Sequence, residues 1–320
     1  MQTVSKKEKK NKLTSKSKLN NNVRFIRQNW DLYLMLLIPV AYLIIFKYIP
    51  MYGVQIAFRN YSVFKGITGS DFVGFTHFIT FFKSSEFTKL LGNTLRLSLY
   101  SLIAGMFFPI ILALILNYIN NVKVRKVIQT ITVAPYFIST TVMVSIILQF
   151  LAMNYGPVNQ VLSALGLSQI NFFGSTAFPH VYVWSGVWQT TGYSAIIYIA
   201  ALAGIDPTLH EAAVVDGASK FKRIWHIDLP SIKPTFIILT ILACGHILST
   251  GFEKIYLLQN TTNTMVSEVI DTYVYKIGIA ATITNYSYPT AIGLFQSIIG
   301  LILILTVNTV ANKVGESGLW

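Results

Sequence analysis

Six stretches of this chain are each long and apolar enough to cross a lipid bilayer, a crossing that takes about 20 mainly apolar residues in a helix. They run approximately from Leu32 to Pro50, Thr94 to Ile119, Val127 to Leu151, Val181 to Ala203, Thr235 to Gly251 and Tyr288 to Ala311. One such run alone could be a buried core helix. Six of them in 320 residues, with 53% hydrophobic and 12% charged side chains, leave too little polar material to enclose a soluble core, because soluble domains carry about a quarter charged residues. The chain is therefore read as all-α, a polytopic membrane protein with six transmembrane helices.

The net charge of +13 would suggest nucleic acid in a soluble protein, but its placement excludes that reading. Lys6, Lys7, Lys9, Lys10, Lys12, Lys16, Lys18, Arg24 and Arg27 crowd residues 1–30 against a single acid, Glu8, so +8 of the +13 sits in one tail. That tail is rich in Asn, Ser and Lys and is expected to be disordered. A basic tail beside an apolar span suits the cytoplasmic face and anionic lipid headgroups. Residues 31–320 form the membrane domain. No small-residue cleavage site follows the tail, so it is not a signal peptide.

Orientation follows from Lys and Arg in alternate loops. Lys123, Arg125 and Lys126 fill the turn between spans two and three, and the stretch from Ala152 to His180 has none. Lys220, Lys222, Arg223 and Lys233 lie between spans four and five. Both termini are then cytoplasmic. The first outer loop fits less well, with Arg59, Lys65, Lys83 and Lys89 against Asp71 and Glu86, although the rule weakens in longer loops. Pro109 and Pro135 lie within spans two and three, where a missing N–H favours a kink unless neighbours compensate.

The connection between spans four and five carries the most specific pattern, within about 205–234. Asp206-Pro207 reads as an N-cap and first helical position, and Thr208 with Glu211 offers an alternative capping box. The helix is expected to end near Gly217, whose backbone can take a tight reversal. A second short helix follows, from about Ser219 to Ile227, stopped by Leu229-Pro230. Ala212, Ala213, Gly217 and Ala218 are small enough to let another surface approach the backbone. Physics alone leaves two readings open: a docking knob, or an amphipathic loop whose Lys220, Lys222 and Arg223 touch lipid headgroups.

The pattern Glu211-Ala212-Ala213, Asp216-Gly217-Ala218 and Leu229-Pro230 resembles the EAA loop of binding-protein-dependent ABC import permeases. The likeness extends to the carbohydrate-uptake branch at Phe72-Val73-Gly74-Phe75, at Gly92-Asn93-Thr94-Leu95 and at Phe252-Glu253-Lys254-Ile255-Tyr256. Ile224 stands where the family often has Phe. The resemblance implies that this loop is a cytoplasmic coupling helix seated in a groove of an ATPase subunit. Glu211 and Asp216 would then make polar contacts while Ala212, Ala213 and Gly217 permit seating. It also implies the partners: a second, non-identical permease, two copies of a cytoplasmic ATPase that bind ATP and Mg, and an extracytoplasmic binding protein that delivers a sugar or oligosaccharide.

Nothing in the chain supplies catalysis. No G-x-x-x-x-G-K-[ST] occurs, so ATP phosphates are not cradled in the P-loop manner. His210-Glu211 begins like a zinc-protease motif, but Val214 stands where the second His belongs. His77, His180, His210, His226 and His246 have no ligand spacing, and Cys244 is the lone cysteine. No metal site and no cofactor of this chain are expected.

For the substrate path, Trp188, Gln189 and Tyr193 offer an aromatic and amide surface suited to sugars, with Gln189 and Tyr193 one turn apart on one face. An interfacial aromatic belt is the competing account. The resemblance adds His246, Leu248 and Gly251 from span five, of which His246 is the one ionisable group well inside that span. Two other function classes compete with the importer. A secondary transporter would normally show several intramembrane carboxylates, yet every Asp and Glu falls outside the expected spans. A membrane enzyme would need a nucleophile with a base, or a metal constellation, and neither is visible.

Overall fold

The computed structural model describes residues 28–281, 285–313 and 318–319. The basic tail thus lies outside the described residues for all but its last three positions. Twelve helices, besides the four-residue turns of helix Gly66–Gly69 and Thr264–Ser267, organise the described residues. The first, α1 (Trp30–Phe58), is followed by a two-residue antiparallel ribbon that pairs Arg59 with Phe72 and Asn60 with Asp71. Next come α2 (Thr76–Lys83), α3 (Ser85–Asn117), α4 (Val122–Phe137), α5 (Thr140–Phe150) and α6 (Pro157–Ala164). Then follow α7 (Phe178–Ala203), α8 (Pro207–Val215), α9 (Lys220–Gly245), α10 (Phe252–Leu258), α11 (Ile270–Gly278) and α12 (Ser287–Lys313).

Four helices, α1, α3, α9 and α12, are long and apolar enough to cross a membrane, and the pairs α4 with α5 and α7 with α8 raise the number to six if each bent pair is one span. Leu97 and Ala104 of α3 pack with Val183 and Val187 of α7, Met143 and Val144 of α5, and Ile255 of α10. A second cluster joins Ala113 of α3, Ala195 and Tyr198 of α7 and Ile232 of α9. By contrast, the most apolar window of α1 buries nothing against the rest of the chain. Its apolar side chains are compatible with lipid or another protein surface as solvent.

The prolines act differently from one another. Pro109 lies inside an unbroken α3. Pro135 sits in a 3-10 turn, Ala134–Phe137, after which the chain bends by 101° into α5, a sharper change of direction than a proline kink. Ser139 caps the new helix by accepting the Val142 N–H.

Leu229-Pro230 does not stop the second short helix of the 205–234 connection. The helix continues from Lys220 through a π-turn, Ile224–Asp228, into the fifth span. Pro230 cannot donate to residue 226, and its ring would crowd that carbonyl in a regular helix. The wider turn, closed by Leu229 N–H to the Ile224 carbonyl, relieves the conflict. The same device precedes Pro50, where Ile49 N–H bonds to the Ile44 carbonyl across the π-turn Ile44–Tyr48. The fifth span also ends earlier than Gly251: α9 stops at Gly245, and a turn closed by Ser249 N–H to the His246 carbonyl leads to Gly251, which opens α10 in a left-handed conformation.

Candidate functional site

Two regions carry the residues singled out in the sequence. The first is α8 and the start of α9. Asp206 caps α8, its Oδ1 accepting the Thr208 N–H at 3.0 Å. That bond holds the Asp206 carboxyl below its usual range, so Asp206 rather than Thr208 closes the helix start. The end is a glycine-terminated reversal: Ala218 N–H reaches back to the Ala213 carbonyl at 2.8 Å and Gly217 N–H to Val214 at 3.0 Å. Gly217 has φ +75°, as the sequence led one to expect.

No residue of α8 is buried. Glu211, Ala212, Asp216 and Gly217 are exposed, Ala213 and Ala218 are half-buried, and Val215 is 86% exposed. Leu229 is half-buried against the α3–α7–α9 cluster, while Pro230 is exposed. The helix α8 thus leaves apolar and small side chains bare.

Sequence reasoning missed what anchors this element. Asp228 has no solvent exposure. Its Oδ2 accepts the Tyr118 hydroxyl at 2.7 Å, and its Oδ1 lies 3.3 Å from His210 Nε2 on α8. The Tyr118 hydroxyl is the donor in that bond. The Arg223 guanidinium covers the Tyr118 ring at 5.6 Å. Asp228 falls outside the expected fifth span, Thr235 to Gly251, and lies within the continuous helix α9. The polar residues at 118, 210, 223 and 228 carry no shared spacing, so only the fold could unite them.

The second region is the interior between α3, α7, α9 and α10. A cavity of about 410 Å³ is lined by Ser98, Ser101, Tyr182, Ser194, His246 and Gly251, among others. It shares Ser101, Tyr182 and Gly251 with a cavity of about 300 Å³ that also borders Thr140, Gln189, Thr190 and Lys254. Of the six path candidates, Gln189, His246 and Gly251 are thus brought together. Leu248 is 2% exposed and lines a separate cavity of about 420 Å³ with His246, Asp271 and Gln296. Its carbonyl accepts from Gln296, and Asp271 accepts the Thr250 N–H at 2.9 Å, so the 246–251 turn is pinned to α11 and α12.

Trp188 borders an apolar cavity of about 400 Å³ with Phe108 and Ile131. Tyr193 stacks on Tyr136 with centroids 3.9 Å apart and planes 3° from parallel. Gln189 donates to the Ile138 carbonyl at 3.0 Å. The common face of Gln189 and Tyr193 is therefore turned toward the Pro135 bend, and one face of Tyr193 is covered within the chain. The serines, Tyr182 and Lys254 were not singled out from sequence; isolated hydroxyls in apolar helices give no periodic signal. Among the described residues, no three His, Cys, Asp or Glu stand together as metal ligands.

Comparison with known proteins gives concordant matches. Residues 105–314 match the family described as binding-protein-dependent transport system inner membrane component. The chain is 41% identical over its whole length to Protein LplB of Bacillus subtilis (strain 168), covering all of that protein. It is 42% identical over 301 residues to the polygalacturonan/rhamnogalacturonan transport system permease protein YteP of the same strain, covering 93% of this chain and 92% of that one. It is also similar, at 37% identity and a TM-score of 0.85, to a chain in the crystal structure of a bacterial alginate ABC transporter in complex with alginate pentasaccharide-bound periplasmic protein. That match covers 92% of this chain and 99% of the other.

Proposed function

Because this chain belongs to the family of binding-protein-dependent transport system inner-membrane components, and is a membrane permease rather than an enzyme, we propose that it forms half of the passage of an ATP-driven importer for a sugar or oligosaccharide. The other half is a second, non-identical permease. An extracytoplasmic binding protein delivers the cargo, and two copies of a separate ATPase, which hold ATP and Mg, supply the work. Both termini face the cytoplasm, as the basic turn at Lys123, Arg125 and Lys126 favours.

The observation that supports this most is the exposed helix α8, ended by left-handed Gly217 and tied through His210 and Asp228 to α9. Seated in an ATPase groove, Glu211 and Asp216 supply polar contacts while Ala212, Ala213, Gly217 and Ala218 admit a close approach. Motion of the ATPase pair reaches the spans because α9 runs from Lys220, through Leu229 and Pro230, to Leu239 and Ala243, which line the cavity of about 410 Å³. Gln189, His246 and Gly251 line the path, Leu248 shapes the turn beside it, and Trp188 and Tyr193 flank it.

A negatively charged cargo is favoured by the acidic polysaccharides in the names of two similar proteins, polygalacturonan/rhamnogalacturonan and alginate. The test is uptake by the complete complex in vesicles with ATP present and ion gradients collapsed. Uptake that persists supports the ATP-driven reading; uptake that stops with the gradient would assign the chain to ion-coupled transport.

A further inference from the structure

Lys254, on α10, is half-buried against α7. Its Nζ donates to the Tyr182 carbonyl at 2.6 Å and lies 4.8 Å from the centre of the Tyr182 ring. Gly186 leaves the necessary room: a Cβ there would come within 3.1 Å of the ammonium. An ammonium has three donors and a full charge, and the carbonyl occupies one donor.

No acid answers that charge. Among the described residues the charged pairs are Lys65–Asp71, Lys89–Glu86, His210–Asp228 and Lys276–Glu268, and none includes Lys254. Glu253, its neighbour in the chain, accepts from the Thr141 hydroxyl at 3.0 Å. Asp271 is engaged by the Thr250 N–H and by Gln296 Nε2 at 2.8 Å. A cation drawn partly out of water gains from a partner that offsets its lost hydration, and ionisable groups inside membrane bundles mark pathways.

The surroundings say what kind of anion suits this place. Lys254 borders the 300 Å³ cavity together with Ser101, Thr140, Gln189 and Thr190. Hydroxyl and amide groups suit a neutral sugar without any cation. A sugar bearing a carboxylate needs both the hydroxyl lining and the ammonium.

We propose that Lys254 receives a carboxylate of the passing cargo, which makes the cargo an acidic, uronate-containing oligosaccharide and Lys254 the residue that reads its charge. This rests on the reading of the chain as a sugar-importing permease. The ring of Tyr182 beneath Nζ holds the ammonium in place between passages.

The experiment is uptake of a tetragalacturonate by the complete complex in vesicles, per assembled complex, against the same tetrasaccharide with its carboxyls reduced to primary alcohols. Lys254→Met is expected to lower tetragalacturonate uptake about tenfold, as loss of a charge-assisted hydrogen bond does, and Lys254→Arg to restore most of it. A packing role predicts the reverse order, because Met fills the space beside Gly186 and Arg crowds it. If the Met variant does not assemble, Lys254→Gln takes its place. Wild-type rates in the neutral variants overturn the role of Lys254 while leaving the importer reading intact. Wild-type uptake of the reduced tetrasaccharide but not of the acid overturns the acidic cargo, and the role of Lys254 with it.

Discussion

The Nε2 atom of His210, on the helix that projects from the bundle, lies 3.3 Å from Oδ1 of the fully buried Asp228 at the base of the fifth span. That oxygen has no aligned hydrogen bond, so the contact is a charge pairing that depends on a protonated His210. The other carboxylate oxygen takes the Tyr118 hydroxyl from the end of α3. One side chain thus joins three segments.

Asp228→Ala is expected to leave the Tyr118 hydroxyl without an acceptor, at a cost of about 1–3 kcal/mol. Asp228→Asn keeps that acceptor and gives up only the pairing with His210. The thermal midpoint of the purified complex should therefore fall in the order wild type, Asn, Ala. Cargo carried per ATP should fall with it, as α8 loses its tie to α9. An Ala variant with an unchanged midpoint would show that the buried cluster is not what holds these segments.

Gly192 is where α7 meets the backbone of α4: a Cβ there would run into the Thr132 carbonyl. Backbone cannot yield as a side-chain tip can, so Gly192→Ala should cost at least the roughly 1–3 kcal/mol of an overpacked core. Gly293, with nothing within 4 Å of the same position, is the control. The readout is the amount of folded complex extracted from membranes. Equal yields from Gly192→Ala and Gly293→Ala would rule out the close approach.

These positions explain what sequence could and could not show. Apolar length is a local property, so the spans were legible, as was the local shape of the 205–234 loop, whose Asp206 cap and Gly217 reversal are set by nearby backbone. The ends of the spans were not. Pro230 looked like a stop because a proline excludes a regular helix, whereas a π-turn accommodates it. Pro135 looked like a kink and is a break of 101°. The polar cavity was half legible: His246 and Gly251 lie on it, but Ser98, Ser101 and Lys254 come from distant segments and acquire meaning only when α3, α7 and α10 meet.

Tyr193 is expected to act together with Tyr136. Stacked rings at 3.9 Å contribute about 0.5–1.5 kcal/mol beyond their burial. Replacing either by Ala should then lower cargo uptake to a similar degree, and the double variant should be little worse than each single one. A double-mutant cycle on uptake and on thermal stability measures this. Strictly additive losses would mean that the two rings serve separate purposes, with Tyr193 facing cargo on its own account.

Gly217 offers the sharpest test of the coupling element, because its two possible contributions can be separated. At φ +75° any side chain strains the backbone, yet a Cβ would meet nothing within 4 Å. Gly217→Ala therefore reports strain alone, about 1 kcal/mol, and Gly217→Asn less, since Asn tolerates this conformation. Both should leave transport largely intact. Gly217→Arg adds bulk on the exposed face that an ATPase groove would have to accept. It should uncouple ATP hydrolysis from uptake while the amount of permease in the membrane stays near normal, because insertion depends on the apolar spans. The measurements are uptake, ATPase activity and membrane content for all three variants. If Arg behaves like Ala, no partner approaches this turn, and α8 is not the seat of the ATPase.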